Sequence, residues 1–268
     1  MKLLICLAIC LIGTITLTAP LQAQTPEQIE ANKELHQASA AYQKGNFAEA
    51  QAHSEKALEL DPENKDAPYF VARTIHAQYK PGDFTPENVA KARDAIDAYQ
   101  RILDRVPTDD EAYKAGAYLY DALKEDKLFR EWVLQRAVNA SVAEGKRAEA
   151  YVVLASRDWD CSFKITEANK VPTVKENKPQ VNYRMPSARE KFERAKECAS
   201  RGLELVSTAI TLTPESEAAW SYKTNIILEL AKLAEMSGDV QQKTELHRQY
   251  EEALKETTRL SNRPKSKP

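Results

Sequence analysis

A chain of 268 residues with 43% hydrophobic and 29% charged residues and only 7 glycines carries enough apolar material to fold, which excludes an intrinsically disordered chain. The formal net charge of -2 excludes nucleic-acid binding driven by bulk electrostatics. As one globule the chain would approach the upper size for a single core, whereas a repeat array needs none, because each unit packs only on its neighbours.

Residues 1–23, MKLLICLAICLIGTITLTAPLQA, have the form of a signal peptide. Lys2 is the charged start, Leu3 to Leu17 the apolar core and Ala23 the small residue before the expected cut. Thr14, Thr16, Thr18 and Pro20 thin the run before it reaches the roughly 20 apolar residues of a membrane span. A lipoprotein cut before Cys10 is disfavoured, because Ile9 is not small. The expected mature chain therefore starts at Gln24, is exported to the periplasm or medium, and keeps no stable membrane span. Cys6 and Cys10 leave with the leader, and Cys161 and Cys198 remain as an even pair in an oxidising compartment.

Beyond the leader the reading is helical throughout, with no segment alternating long enough to predict a strand. Thr25-Pro26-Glu27 opens a first helix running to about Lys44, and its partner spans Asn46 to Leu60, with Gly45-Asn46 at the turn and Pro62 as terminator. The stretch Ala31 to Asn64 is 34 residues long and places Phe47, Ala50, Ala57 and Leu58 where two antiparallel helices touch. In length, turn and terminator it resembles a tetratricopeptide (TPR) repeat.

A second pair begins near Lys65, breaks at Lys80-Pro81-Gly82-Asp83, restarts with Thr85 as candidate cap and stops at Pro107. A third starts at Asp110, and its second helix, with Leu128 and Trp132, is expected to end at Glu144-Gly145-Lys146. In the fourth, a helix from Arg147 to about Ala168 precedes a stretch containing Pro172, Pro179 and Pro186. These prolines predict a mobile, extended, solvated loop over about 170–186. Ser187 is the candidate cap of the next helix, which Pro214 ends. The last pair covers Glu217 to Met236 and Asp239 to Leu260, joined at Ser237-Gly238, and residues 262–268 form a basic tail expected to be disordered.

The resemblance covers nearly the whole chain after the leader and implies an all-α, right-handed solenoid of about five TPR-like hairpins over 24–261. It also implies a concave surface lined by the first helix of each pair. Transferred to this sequence, the family pattern places Leu35, Tyr42, Tyr69, Arg73, His76, Lys114, Tyr118, Val152 and Trp159 on that surface. Rings and arginine are what interface centres use, although aromatics in helical arrays also pack between repeats. The Lys/Asn clamp by which some TPR domains hold a C-terminal carboxylate has no counterpart, since Leu35, Ser39 and Tyr42 occupy the matching places. On the same register Cys161 and Cys198 flank the turn of the fourth pair, which predicts a disulfide between them. The wider layout looks like exported bacterial TPR proteins of unassigned function.

Catalytic signals are few. His36, His53, His76 and His247 show no zinc-helix spacing, and no glycine-rich phosphate loop or nucleophile elbow occurs. Asp158 and Asp160 flank Trp159 and are expected on a solvated face rather than as an acid pair. The expected function is a non-catalytic protein-binding or scaffold protein, without metal or cofactor, that receives an unidentified peptide or protein segment. Two alternatives stand beside it. One is a cell-envelope assembly factor contacting acidic polymers or lipids through residues 170–201, where nine Lys or Arg face four Glu. The other is an enzyme built on the solenoid.

Overall fold

A computed structural model describes residues 24–175 and 178–263. The expected leader and most of the expected tail lie outside the described residues. Among them, ten helices form five antiparallel hairpins in series, an α-solenoid. These are α1 Pro26–Gln43 with α2 Phe47–Leu60, α3 Ala67–His76 with α4 Pro86–Arg105, α5 Asp110–Ala122 with α6 Asp126–Val138, α7 Glu144–Ala168 with α8 Arg189–Leu212, and α9 Glu217–Ser237 with α10 Val240–Ser261. Each hairpin packs on the next, α2 on α3, α4 on α5, α6 on α7 and α8 on α9. No described helix is long and apolar enough to cross a membrane.

Local chemistry sets the helix ends. Thr25 and Gln28 form a reciprocal capping box on α1, and Asp109, Ser216 and Asp239 cap α5, α9 and α10. Gly45 and Gly238 take the left-handed turns that close the first and last hairpins. Thr85 and Ser187 do not cap: the Thr85 side chain makes no cap bond, and Ala188 rather than Ser187 holds the cap position of α8. The long α3–α4 connection is tied instead by buried Asn88, whose amide bonds the backbone of Lys80 twice at 2.9 Å and the Asp83 carbonyl at 2.7 Å. Glu144-Gly145-Lys146 does not end α6, which stops at Val138; these residues form the first turn of α7.

The proline-rich stretch is not an irregular loop. Lys170–Lys175 (β1) pairs antiparallel with Lys178–Tyr183 (β2) in the register Pro172 opposite Val181 and Val174 opposite Pro179. Proline donates no N–H, so these must be the non-hydrogen-bonded pairs of the ladder, where the missing donor would point outward. The prolines that forbid a helix are therefore compatible with a hairpin in this one register.

The core runs as a chain of clusters. Val71, Ile75, Ile96, Tyr99, Leu119 and Trp132 fill the space from α3 to α6, and Phe192, Val206, Ile226 and Leu233 that between α8 and α9. Gly116 is required by close approach: a Cβ there would lie 2.2 Å from the Trp132 ring, whose indole N–H donates to the Tyr113 carbonyl at 2.9 Å.

Candidate protein-binding groove

The first helices of the third and fourth hairpins bound an open groove of about 300 Å³. Ala117 on α5, Ala150 and Val153 on α7, and Phe129 and Val133 reaching through from α6 supply its apolar lining, with Lys114 and Tyr118 on the α5 rim. Small residues at 117 and 150 keep it open, and Tyr118 stays 49% exposed. At one end Asp110 is shared by three cations: Arg136, Lys146 at 3.3 Å and Lys114 at 3.8 Å. Arg136 is buried over the Tyr113 ring at 4.4 Å. Burial pushes the Tyr113 phenol up to about 12, against a smaller opposing pull from Arg136. At the other end Arg157 bonds Asp121 and lies 4.4 Å over the Phe129 ring.

The structure brings Lys114 and Tyr118 together on this groove and distributes the other expected residues elsewhere. His76 stacks on Tyr118 at 5.8 Å and meets Tyr99 edge-on at 5.9 Å. Burial lowers its pKa. Exposed Arg73 reaches over the Tyr42 ring at 5.8 Å, and Tyr42 packs on Phe47 at 5.1 Å. The Tyr69 hydroxyl donates to the Asp109 carboxylate that caps α5, and burial first, then that bond, pushes its pKa up to about 12. Tyr69 is thus a strut between the second and third hairpins. Trp159 stacks on Phe163 at 4.9 Å and abuts Tyr222 at 6.1 Å, between the fourth and fifth. Leu35, only 8% exposed, packs with Ala31, Ala57 and Ala67, and Val152 is buried as well.

Cys161 and Cys198 form the expected disulfide, with a Cα–Cα distance of 6.1 Å. It sits in the wall of a larger cleft, about 1140 Å³, between α6, α7 and α8. Asp158 is not on a solvated face. It is 0% exposed, bonded by Arg130 and by Arg201 through Nε at 3.0 Å and Nη2 at 2.6 Å. The Asp158 bond is the leading cause of a raised Arg201 pKa. The sequence held a signal for this: Ala155, Asp158 and Ser162 share one helical stripe, and all three are buried. Two exposed cleft cations are paired too, Lys164 with Asp160 at 2.5 Å and Arg189 with Glu193 at 3.4 Å. The cleft presents ion pairs rather than a nucleophile beside a base.

A second buried network left only the Glu229–Lys232 spacing of three as a local signal. Lys232 bonds Glu229 at 2.7 Å and Glu167 at 3.0 Å, and Thr166 donates to Glu229 at 2.5 Å. Burial pushes the Lys232 pKa down, yet the two carboxylates outweigh it and the net shift is upward. The Lys232 ammonium also lies 4.9 Å over the Tyr183 ring, and the backbone N–H of Tyr183 donates to Glu235 at 2.8 Å. The hairpin base is thereby docked on α7 and α9.

No family model and no curated protein matches the chain. Among solved structures it is similar to MamA, at 15% identity over 89% of this chain and 98% of that one, with a TM-score of 0.42. It is also similar to PilF of Pseudomonas aeruginosa, at 14% identity over 88% and 99% of the two chains, with a TM-score of 0.35. A tetratricopeptide repeat protein from Parabacteroides merdae is similar at 13% identity over 87% and 90%, with a TM-score of 0.36. The fold assignment rests on the five hairpins themselves.

Proposed function

We propose that the chain is a non-catalytic scaffold that holds a peptide or protein segment in the groove between α5 and α7. One observation carries this reading: Tyr118 stands half-exposed beside an open apolar floor, while Tyr69 and Trp159 are committed to packing between repeats. A rigid ring over an apolar pocket with charges at both ends suits a bound segment, because it offers large contact area at little entropic cost. The disulfide and the signal-like leader support an exported location.

A photo-crosslinking residue placed at Tyr118 in the native compartment tests this. It should trap a discrete partner that the same residue at Val138, exposed on α6, does not trap. Equal trapping at both positions, or none at Tyr118, overturns the reading.

A further inference from the structure

The β-hairpin presents an apolar face that nothing in the described fold covers. Side chains alternate across a strand pair, so Pro172, Val174, Pro179 and Val181 share one face. Val174 is 75% exposed, Val181 42%, and both prolines are exposed. Val171, Thr173, Gln180 and Asn182 lie on the other face, which is mostly polar. Gln180 and Asn182 are exposed as well, so both faces stand in solvent, whereas an ordinary strand pair turns its apolar face to the core. The face is also held out rigidly, because Tyr183 anchors the base through Glu235 at 2.8 Å and Glu167 at 3.1 Å.

Two occupants suit an exposed strand pair: a further strand added at an edge, or a surface that takes up the face. The edges argue against the first. Pro172 and Pro179 each remove an outward donor, and the outward N–H of Tyr183 is already given to Glu235. Charge argues for the second. Residues 170–201 hold nine Lys or Arg against four Glu, and Arg184, Lys191, Arg194 and Lys196 are exposed. We propose that the hairpin inserts its Pro172–Val174–Pro179–Val181 face into an anionic lipid surface, with the neighbouring cations on the headgroups. Apolar side chains at acyl depth flanked by basic residues are the chemistry of interfacial binding, and each cation adds electrostatic attraction. This proposal is independent of the groove.

The test is sedimentation with phosphatidylcholine vesicles, with and without phosphatidylglycerol. The chain from Gln24 onward is used, since it contains every described core residue and keeps the leader's apolar run out of the assay. Binding is expected only with phosphatidylglycerol and should weaken with added salt. Val174→Ser with Val181→Ser should reduce it by about tenfold or more, which is about 1.4 kcal/mol. The thermal transition should stay in place, because both valines are exposed. A tryptophan introduced as Val174→Trp should shift its emission to the blue on the anionic vesicles alone. Three outcomes overturn the proposal: no binding to anionic vesicles, equal binding to neutral ones, or full binding by the double serine variant. A double serine variant that loses capture of a protein but not of vesicles assigns the face to a protein and overturns it as well.

Discussion

The first three hairpins and the last two are stabilised by different means. From α1 to α6 the helices are 10–20 residues long and meet mainly through small residues, rings and aliphatic side chains, beside the Arg136–Asp110 ion pair between α5 and α6. From α7 to α10 they run 21–25 residues, and the extra turns are joined by a disulfide and two buried ionic networks. Apolar repeats stack by matching shape with their neighbours alone. A helix extended past its repeat has no matching neighbour, and here Thr166, Glu167, Glu229 and Lys232 close the gap with directional contacts. Such contacts specify one docking geometry but leave a costly charge if one partner is removed.

The sharpest way to break this contrast is Asp158→Ala, which takes the buried partner from Arg130 and Arg201 and leaves them only Asp126 and Glu197. It should destabilise by about 3 kcal/mol or more through the lost charge-assisted hydrogen bonds. Hydrogen exchange should show protection lost from α6 to α8 while α1 to α4 keep theirs. Uniform loss would mean the two regions unfold as one unit. Reducing the disulfide, or replacing both cysteines by alanine, should cost up to about 4 kcal/mol on chain-entropy grounds, read from urea midpoints. In the apolar half, Gly116→Ala pushes on Trp132 and should cost about 1–3 kcal/mol, felt first in α5 and α6.

Smaller again is a pH effect at His76. Burial among Tyr99 and Tyr118 holds its folded-state pKa below the ordinary 6.5, so the unfolded chain takes up the proton first as pH falls. Its contribution is complete above about 6.5 and drains away as pH drops below that value toward the folded-state pKa. Chemical denaturation across that window should show stability falling with pH, and His76→Phe should flatten this dependence. The smallest effect is expected from Tyr118→Ala, within about 0.5 kcal/mol of the parent stability, because nearly half of that side chain faces solvent.

The same contrast explains what the sequence made legible. Hairpin count, turn glycines and most helix ends follow from local spacing and breakers, so Gly45, Gly238 and Pro62 could be placed directly. The disulfide followed from repeat register. Lys232 could not be placed, because its partner Glu167 lies on another helix 65 positions away. Asp158 left a readable stripe, but its charge argued for solvent and outweighed the pattern. The β-hairpin was missed because prolines argue against sheets in general, and only the pairing register shows that both occupy positions where no ladder bond is lost. On the groove, Lys114 and Tyr118 came together as the repeat pattern implies, whereas Tyr69 and Leu35 occupy the same nominal surface yet serve packing.

The Cys161–Cys198 bond also alters how the molecule would bear load. A chain pulled from its two ends transmits tension along its covalent path, and the bond short-circuits the sequence separation of 37 between the cysteines. The β-hairpin and the extended ends of α7 and α8 are thus out of the line of force. About 120–130 Å of contour would stay hidden until the bond is cut. A load applied at the hairpin itself would instead enter through the strands and pass to α7 and α9 at the Tyr183 anchor, so the bond shields the strands from end-to-end tension alone.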